Sequence, residues 1–256
     1  MKLNKKTIIR CLQACLNQYQ SKKWYKKKHI KWKMVFPIED KFDSNTVEGH
    51  IGYKNKEPDS VYIIFEGSDS EKDGGKDWNG PLGNFNFFPK TIERTQPITL
   101  KVETKILVHS GHYNAFKKIK PFIHSIVNRK DVKKIYVAGH SRGGPIAAYT
   151  AENLGFHYGD KKKIYYIGAA PSKAGNKFFW TSLIDRTGDH IELWVGDDPV
   201  PGLPPFGTLC HAPKAFELKR SGILPILFGW VRFINPIGWP GDHYPDIILK
   251  EATKQL

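Results

Sequence analysis

At 256 residues, 40% hydrophobic and 25% charged, the chain can bury a sizeable core without disulfide or metal staples. Its three cysteines, Cys11, Cys15 and Cys210, are odd in number and lack metal-ligand spacing, which argues against a disulfide scaffold and a zinc site; a single bridge from Cys11 or Cys15 to Cys210 stays open. A formal net charge of +15 predicts attraction to polyanions such as anionic lipid headgroups or nucleic acid.

The N-terminus is basic, but the apolar run that follows is broken by Arg10 and Gln13, so it is not read as a secretory signal. Residues 5–20 are expected to form an amphipathic helix with Ile8, Leu12, Cys15, Leu16 and Tyr19 on one face. Residues 22–33 interleave Lys with Trp and Tyr. That pattern suits a lipid headgroup interface or single-stranded nucleic acid, and equally a plain solvated loop. Residues 1–45 are read as this helix and a basic loop packed on a main domain, 46–256. Nowhere does the chain have the roughly 20 apolar residues of a membrane span. The longest candidate, 222–238, is cut by Pro225, Arg232 and Pro236.

Strands are expected at 46–53 and 61–65, followed by a long Gly- and Pro-rich loop over 68–100. Residues 101–108 alternate as a strand and 113–127 read as a helix. An apolar strand at 134–138 and a helix at 145–154 follow, then strands at 163–168 and 191–195, and a helix at the C-terminus. Strands alternating with helices predict an α/β fold: a mostly parallel sheet with helices on both faces. The chemistry of such sheets gathers at the C-terminal ends of the strands.

Between the strand at 134–138 and the next helix stands Gly139-His140-Ser141-Arg142-Gly143-Gly144. Gly-x-Ser-x-Gly on a strand-to-helix turn is the pattern of a nucleophile elbow, in which a strained serine is presented at the sheet edge. Its hydroxyl then stands beside the positive end of the following helix. A serine nucleophile needs a base and an acid that orients the base, here in the chain order Ser, acid, His. The acid should end a later strand, and Asp197 and Asp198 both follow 191–195. Asp185 and Asp189 precede that strand and fit worse. Two histidines follow, His211 and His243, and the position of His243 on a late loop favours it. Oxyanion donors are expected from Ser68, after the apolar run 61–65, and from the backbone N–H of Arg142.

These residues together resemble the class 3, fungal-lipase-like branch of the α/β hydrolases, over roughly residues 60–245. Phe65-Glu66-Gly67-Ser68 is similar to that family's oxyanion strand, and Asp77-Trp78 to the Asp-Trp that follows it. Val108-His109-Ser110-Gly111-His112-Tyr113 resembles its Val-His-x-Gly-Phe-Tyr, and 139–144 its Gly-His-Ser-Leu-Gly-Gly. Residues 169–176 resemble its Gly-x-Pro-x-x-Gly-Asn turn, and Asp198-Pro199-Val200-Pro201 its Asp-x-Val-Pro. The resemblance implies an α/β-hydrolase fold and a catalytic triad of Ser141, Asp198 and His243. It also implies an oxyanion hole at Ser68 and Arg142, substrate contacts from Trp78 and His140, and no metal or organic cofactor. His211 would occupy a position that is commonly His without being catalytic. Residues 69–98, with Trp78, Leu82, Phe85, Phe87 and Phe88, would form a lid or its remnant. Two departures flank the site: Glu66 replaces the family's Arg, and Arg142 its Leu. The two are expected to form a salt bridge.

The function so implied is hydrolysis of lipid acyl esters, of triacylglycerol lipase or phospholipase A type, through an acyl-enzyme. The partner would be an anionic membrane or lipid surface; nucleic acid is disfavoured. The competing expectations are a non-catalytic module of the same fold that binds anionic membranes or nucleic acid, and a hydrolase of small esters or amides.

Overall fold

The computed structural model describes residues 2–18, 32–40, 43–54, 56–67, 89–92, 105–196, 198–204, 207–219 and 244–256. Strand β3 (Glu57–Phe65) sits at the junction of two kinds of pairing. On one side it pairs antiparallel with β2 (Asp43–Lys54), which pairs antiparallel with β1 (Trp32–Asp40). On the other it pairs parallel with β6 (Lys134–His140), and the parallel run continues through β7 (Lys163–Ala169), β8 (Asp189–Val195) and β9 (Ala215–Leu218). The order is thus β1-β2-β3-β6-β7-β8-β9, and the expected mostly parallel sheet is present. A small separate sheet pairs β4 (Pro89–Ile92) antiparallel with β5 (Ile106–His109).

Period-2 alternation divides the side chains of the central strands between two cores. On one face Val61, Ile63, Phe65, Ile135, Val137, Ile164 and Tyr166 pack with α2 (Ser110–Val127), α3 (Gly143–Tyr158) and α4 (Lys177–Arg186). On the other Tyr62, Ile64, Ala138, Tyr165, Ile167 and Leu193 meet α1 (Lys5–Gln18) and α5 (Pro245–Gln255). Covering both faces is why β3, β6 and β7 read as almost unbroken apolar runs. On the α1 side, Tyr62, Tyr136 and Tyr165 occupy one register line of β3, β6 and β7 and stack at 4.9 and 5.0 Å.

The first helix ends at Gln18, and Ile8, Cys11, Leu12 and Cys15 are buried as its pattern predicts; Leu16 is half-buried. Arg10 leaves its surface to bond both Glu57 oxygens (2.8 and 3.0 Å) and the Tyr62 hydroxyl (2.6 Å), pinning α1 to β3. The cysteines do not form the bridge that spacing left open. All three are free thiols: Cys11 and Cys15 belong to the α1-side core and Cys210 packs against the opposite one.

Two stretches read as loop carry strands. Trp32–Asp40, counted with the basic N-terminal loop, is the outermost strand of the main sheet. Pro89–Ile92, inside the stretch 68–100, is β4. Their partners β2 and β5 supply the pairing that local sequence did not signal. Of the proposed lid, 69–98, only 89–92 lie among the described residues; the basic stretch 22–31 and the apolar stretch 222–238 lie outside them. No helix among the described residues is long and apolar enough to cross a membrane.

Candidate active site

Ser141 stands between the last residue of β6 and the first of α3 with φ at +54°, in the left-handed region that side-chain-bearing residues rarely adopt. The strain is held from both sides. The Ser141 N–H donates to Ala169 O (2.9 Å), extending the β6–β7 ladder, and Gly144 N–H donates to Ser141 O (3.0 Å), starting the helix. Two glycines make the turn possible. A Cβ on Gly139 would run into Gly143 O, and one on Gly143 would lie 2.5 Å from Glu66 O and 2.9 Å from Phe65 O. The second contact also explains how the end of β3 comes to lie against the elbow: only a bare Cα lets the two backbones approach this closely.

The turn leads directly into α3, so the first N–H groups of a 16-residue helix and its positive end adjoin Ser141. Arg142 is the N-cap of that helix, with φ −52° and ψ −37°. Its charge is felt by His112 in the first turn of α2. His112 is pushed well below the usual histidine range by burial, then by His109 and Arg142. His109 is lowered to about 4 by burial. The two rings stack at 3.9 Å, and Nδ1 of His109 accepts from the His112 N–H (3.4 Å), so both are neutral near pH 7. His140 is the last residue of β6 and is 3% exposed.

Asp198 follows β8, two strands from the elbow, and is 8% exposed. Its N–H donates to Val195 O (3.2 Å) and its Oδ1 accepts from the Val200 N–H (2.9 Å) at the start of a single 3₁₀ turn, Val200–Gly202. The carboxylate is thereby fixed to the turn it begins. Asp189 lies at the other end of β8, paired with Lys214 and bonded by the Leu3 N–H (2.8 Å), and Asp185 lies in α4.

His211, the alternative base, is engaged elsewhere. Its Nδ1 is 2.8 Å from Glu192 Oε2 and its Nε2 is 2.7 Å from Pro201 O. Burial alone would lower its pKa, but the bond and charge of Glu192 together with the Pro201 carbonyl raise it above the usual histidine value. A raised, doubly engaged imidazole is ill suited to take a proton from serine. Glu192, fully buried within β8, was not among the residues singled out by sequence. The one available signal was a charged side chain inside the apolar run Ile191–Val195. His243, Ser68, Trp78 and Asp197 lie outside the described residues. Among the described residues no group of three or more His, Cys, Asp or Glu side chains is arranged to hold a metal ion.

The profile of the family described as Lipase (class 3) matches residues 62–208. A secreted mono- and diacylglycerol lipase 1 from Fusarium solani is 32% identical over 142 residues, covering 52% of this chain and 38% of that protein. The chain therefore spans well under half of that relative's length. Among solved structures, the Rhizomucor miehei lipase propeptide complex superposes with a TM-score of 0.58 at 18% identity, over 82% of this chain and 66% of that one. A triacylglycerol lipase from Penicillium expansum gives 0.57 at 14% identity, over 85% and 79%. A triacylglycerol lipase described as having a serine protease triad as its catalytic centre gives 0.56 at 18%, over 86% and 82%. At such identities the likeness is one of fold, and that fold is the α/β-hydrolase fold.

Proposed function

The chain belongs to the class 3 lipase family, whose profile covers more than half of it, and on that premise we propose that it is a serine hydrolase of lipid acyl esters. The observation that carries the proposal is the strained Ser141 at the head of α3, held by glycines at closest approach. Ser141 Oγ attacks the ester carbonyl. His243 takes the proton and returns it to the leaving alcohol. Asp198 holds the imidazole in the required tautomer and stabilises its charged form. The backbone N–H groups of Arg142 and Ser68 receive the oxyanion of the tetrahedral intermediate. The engagement of His211 by Glu192 and Pro201 supports His243 as the base. Trp78 and His140 are proposed to contact the substrate. The mono- and diacylglycerol lipase relative favours acylglycerols, while the +15 net charge favours an anionic lipid surface and keeps phospholipase A-type cleavage as the competing specificity.

The test is covalent labelling by a fluorophosphonate, read by intact mass, with anionic vesicles present and absent. Wild type is expected to gain one adduct and Ser141→Ala none. A folded wild type that takes up no probe under either condition would point instead to a non-catalytic module that docks on membranes. Rates on mono-, di- and triacylglycerols and on phosphatidylglycerol then rank the substrates.

A further inference from the structure

The turn that carries Asp198 contains Pro199, Pro201 and Pro204. Proline has no N–H, so the segment holds few donors with which to brace itself. Within it the Val200 N–H donates to Asp198 Oδ1 (2.9 Å), Gly202 N–H to Pro199 O (3.0 Å) and Leu203 N–H to Val200 O (2.9 Å). Its four consecutive carbonyls, 201–204, are instead taken by two residues from outside. Pro201 O accepts from His211 Nε2 (2.7 Å). Leu203 O accepts from the Lys173 N–H (2.8 Å), and the Lys173 ammonium donates to Gly202 O (3.1 Å) and Pro204 O (3.0 Å).

His211 is anchored in turn. Glu192 Oε1 accepts from the Tyr166 hydroxyl (2.9 Å), and Oε2 accepts from the Ala212 N–H (3.0 Å) and faces His211 Nδ1 (2.8 Å). A carbonyl can only accept, so Nε2 of His211 carries a proton, while Nδ1 faces a carboxyl oxygen that already accepts from the Ala212 N–H. The charged and titratable groups around the ring are Glu192 on β8, Tyr166 on β7 behind it, Lys173, and the neighbouring Cys210 thiol, with the Trp194 ring 4.9 Å away.

We propose that Lys173 and His211, the latter held by buried Glu192, form a two-point clamp that positions the Asp198 turn for catalysis. They act as positioning residues: they seize the carbonyls of the turn while Asp198 addresses the base. The proposal rests on Asp198 being the catalytic acid. A buried ion pair is a poor source of net stability, since desolvation offsets its attraction. A geometric role accounts better for a glutamate buried inside an apolar strand.

The experiment compares Lys173→Met, Lys173→Arg, His211→Gln and Asp198→Asn in the full chain, measuring kcat, KM and the pH dependence of kcat/KM on a soluble short-chain ester. Lys173→Met removes only the ammonium from a half-buried side chain, so it decides the outcome should His211→Gln not fold. Lys173→Met and His211→Gln are expected to lower kcat by about ten- to a hundredfold, the cost of a displacement near one ångström, with KM within about twofold. Lys173→Arg is expected to restore most of the loss. The acid-limb pKa of kcat/KM is expected to fall in the clamp variants, because a displaced Asp198 supports the imidazolium less. Asp198→Asn is expected to lose about ten-thousandfold. If Asp198→Asn is crippled while Lys173→Met keeps wild-type kcat and pH profile, the clamp is overturned and the triad stands. If Asp198→Asn retains turnover, the acid is misassigned and the clamp falls with it.

Discussion

Ser141 pays for its position with backbone strain, and that strain can be measured. Replacing it with glycine, which adopts φ +54° without steric cost, is expected to raise the unfolding free energy by about 1 kcal/mol while abolishing probe labelling. Urea unfolding of Ser141→Gly checks the stability; an unchanged or lower value would mean that the turn is unstrained. The departures beside it act on the same ground. Glu66 is buried, and its carbonyl lies against Gly143, one residue beyond Arg142. If the two side chains pair, as their adjacency to the elbow suggests, Glu66→Arg and Arg142→Glu will each lower Tm and the double exchange will recover it. Absence of recovery excludes the pairing.

Among the elements, α1 is the one whose role can be tested apart from the chemistry. It covers the sheet face opposite α2, α3 and α4, and Leu12 is buried beneath it. Leu12→Ala is expected to cost about 3 kcal/mol of unfolding free energy, the usual loss for emptying a buried leucine site. The folded fraction should still label at Ser141 at the wild-type rate, because α1 lies on the far face of the sheet from α3, the helix that follows Ser141. A slower rate in the folded protein would couple this face to the site. The pattern of α1 was legible because one helix carries its own periodicity. Strands β1 and β4 were not, because each is short of local signal and exists by pairing with β2 and β5.

Across the whole molecule, buried and half-buried histidines set opposing pH limits. His109 has a folded pKa near 4, below the 6.5 of a free histidine. Its contribution to stability is therefore complete above pH 6.5 and is lost as pH falls from there through about 4, with His112 acting in the same direction. His211 is raised, so its contribution is complete below 6.5 and is lost as pH rises through its folded pKa. Tm should thus decline on both sides of neutrality. His211→Gln should flatten the alkaline decline and leave the acid one, as thermal melts from pH 4 to 10 would reveal. An acid limb that stays flat between 6.5 and 4 would contradict the burial of neutral His109.

The mostly parallel α/β architecture and the tight turn at Ser141 were legible along the chain, since they rest on local period and on glycines flanking the turn; chain order alone left Asp197 and Asp198 both open as the acid. Which histidine is occupied elsewhere follows from packing in three dimensions. Glu192, His211, Lys173 and Tyr166 come from four separate segments, and their hydrogen bonds depend on distances that no spacing along the chain encodes. The same holds for the cysteines: pairing was open on count alone, and the sheet that separates Cys11 and Cys15 from Cys210 closes it.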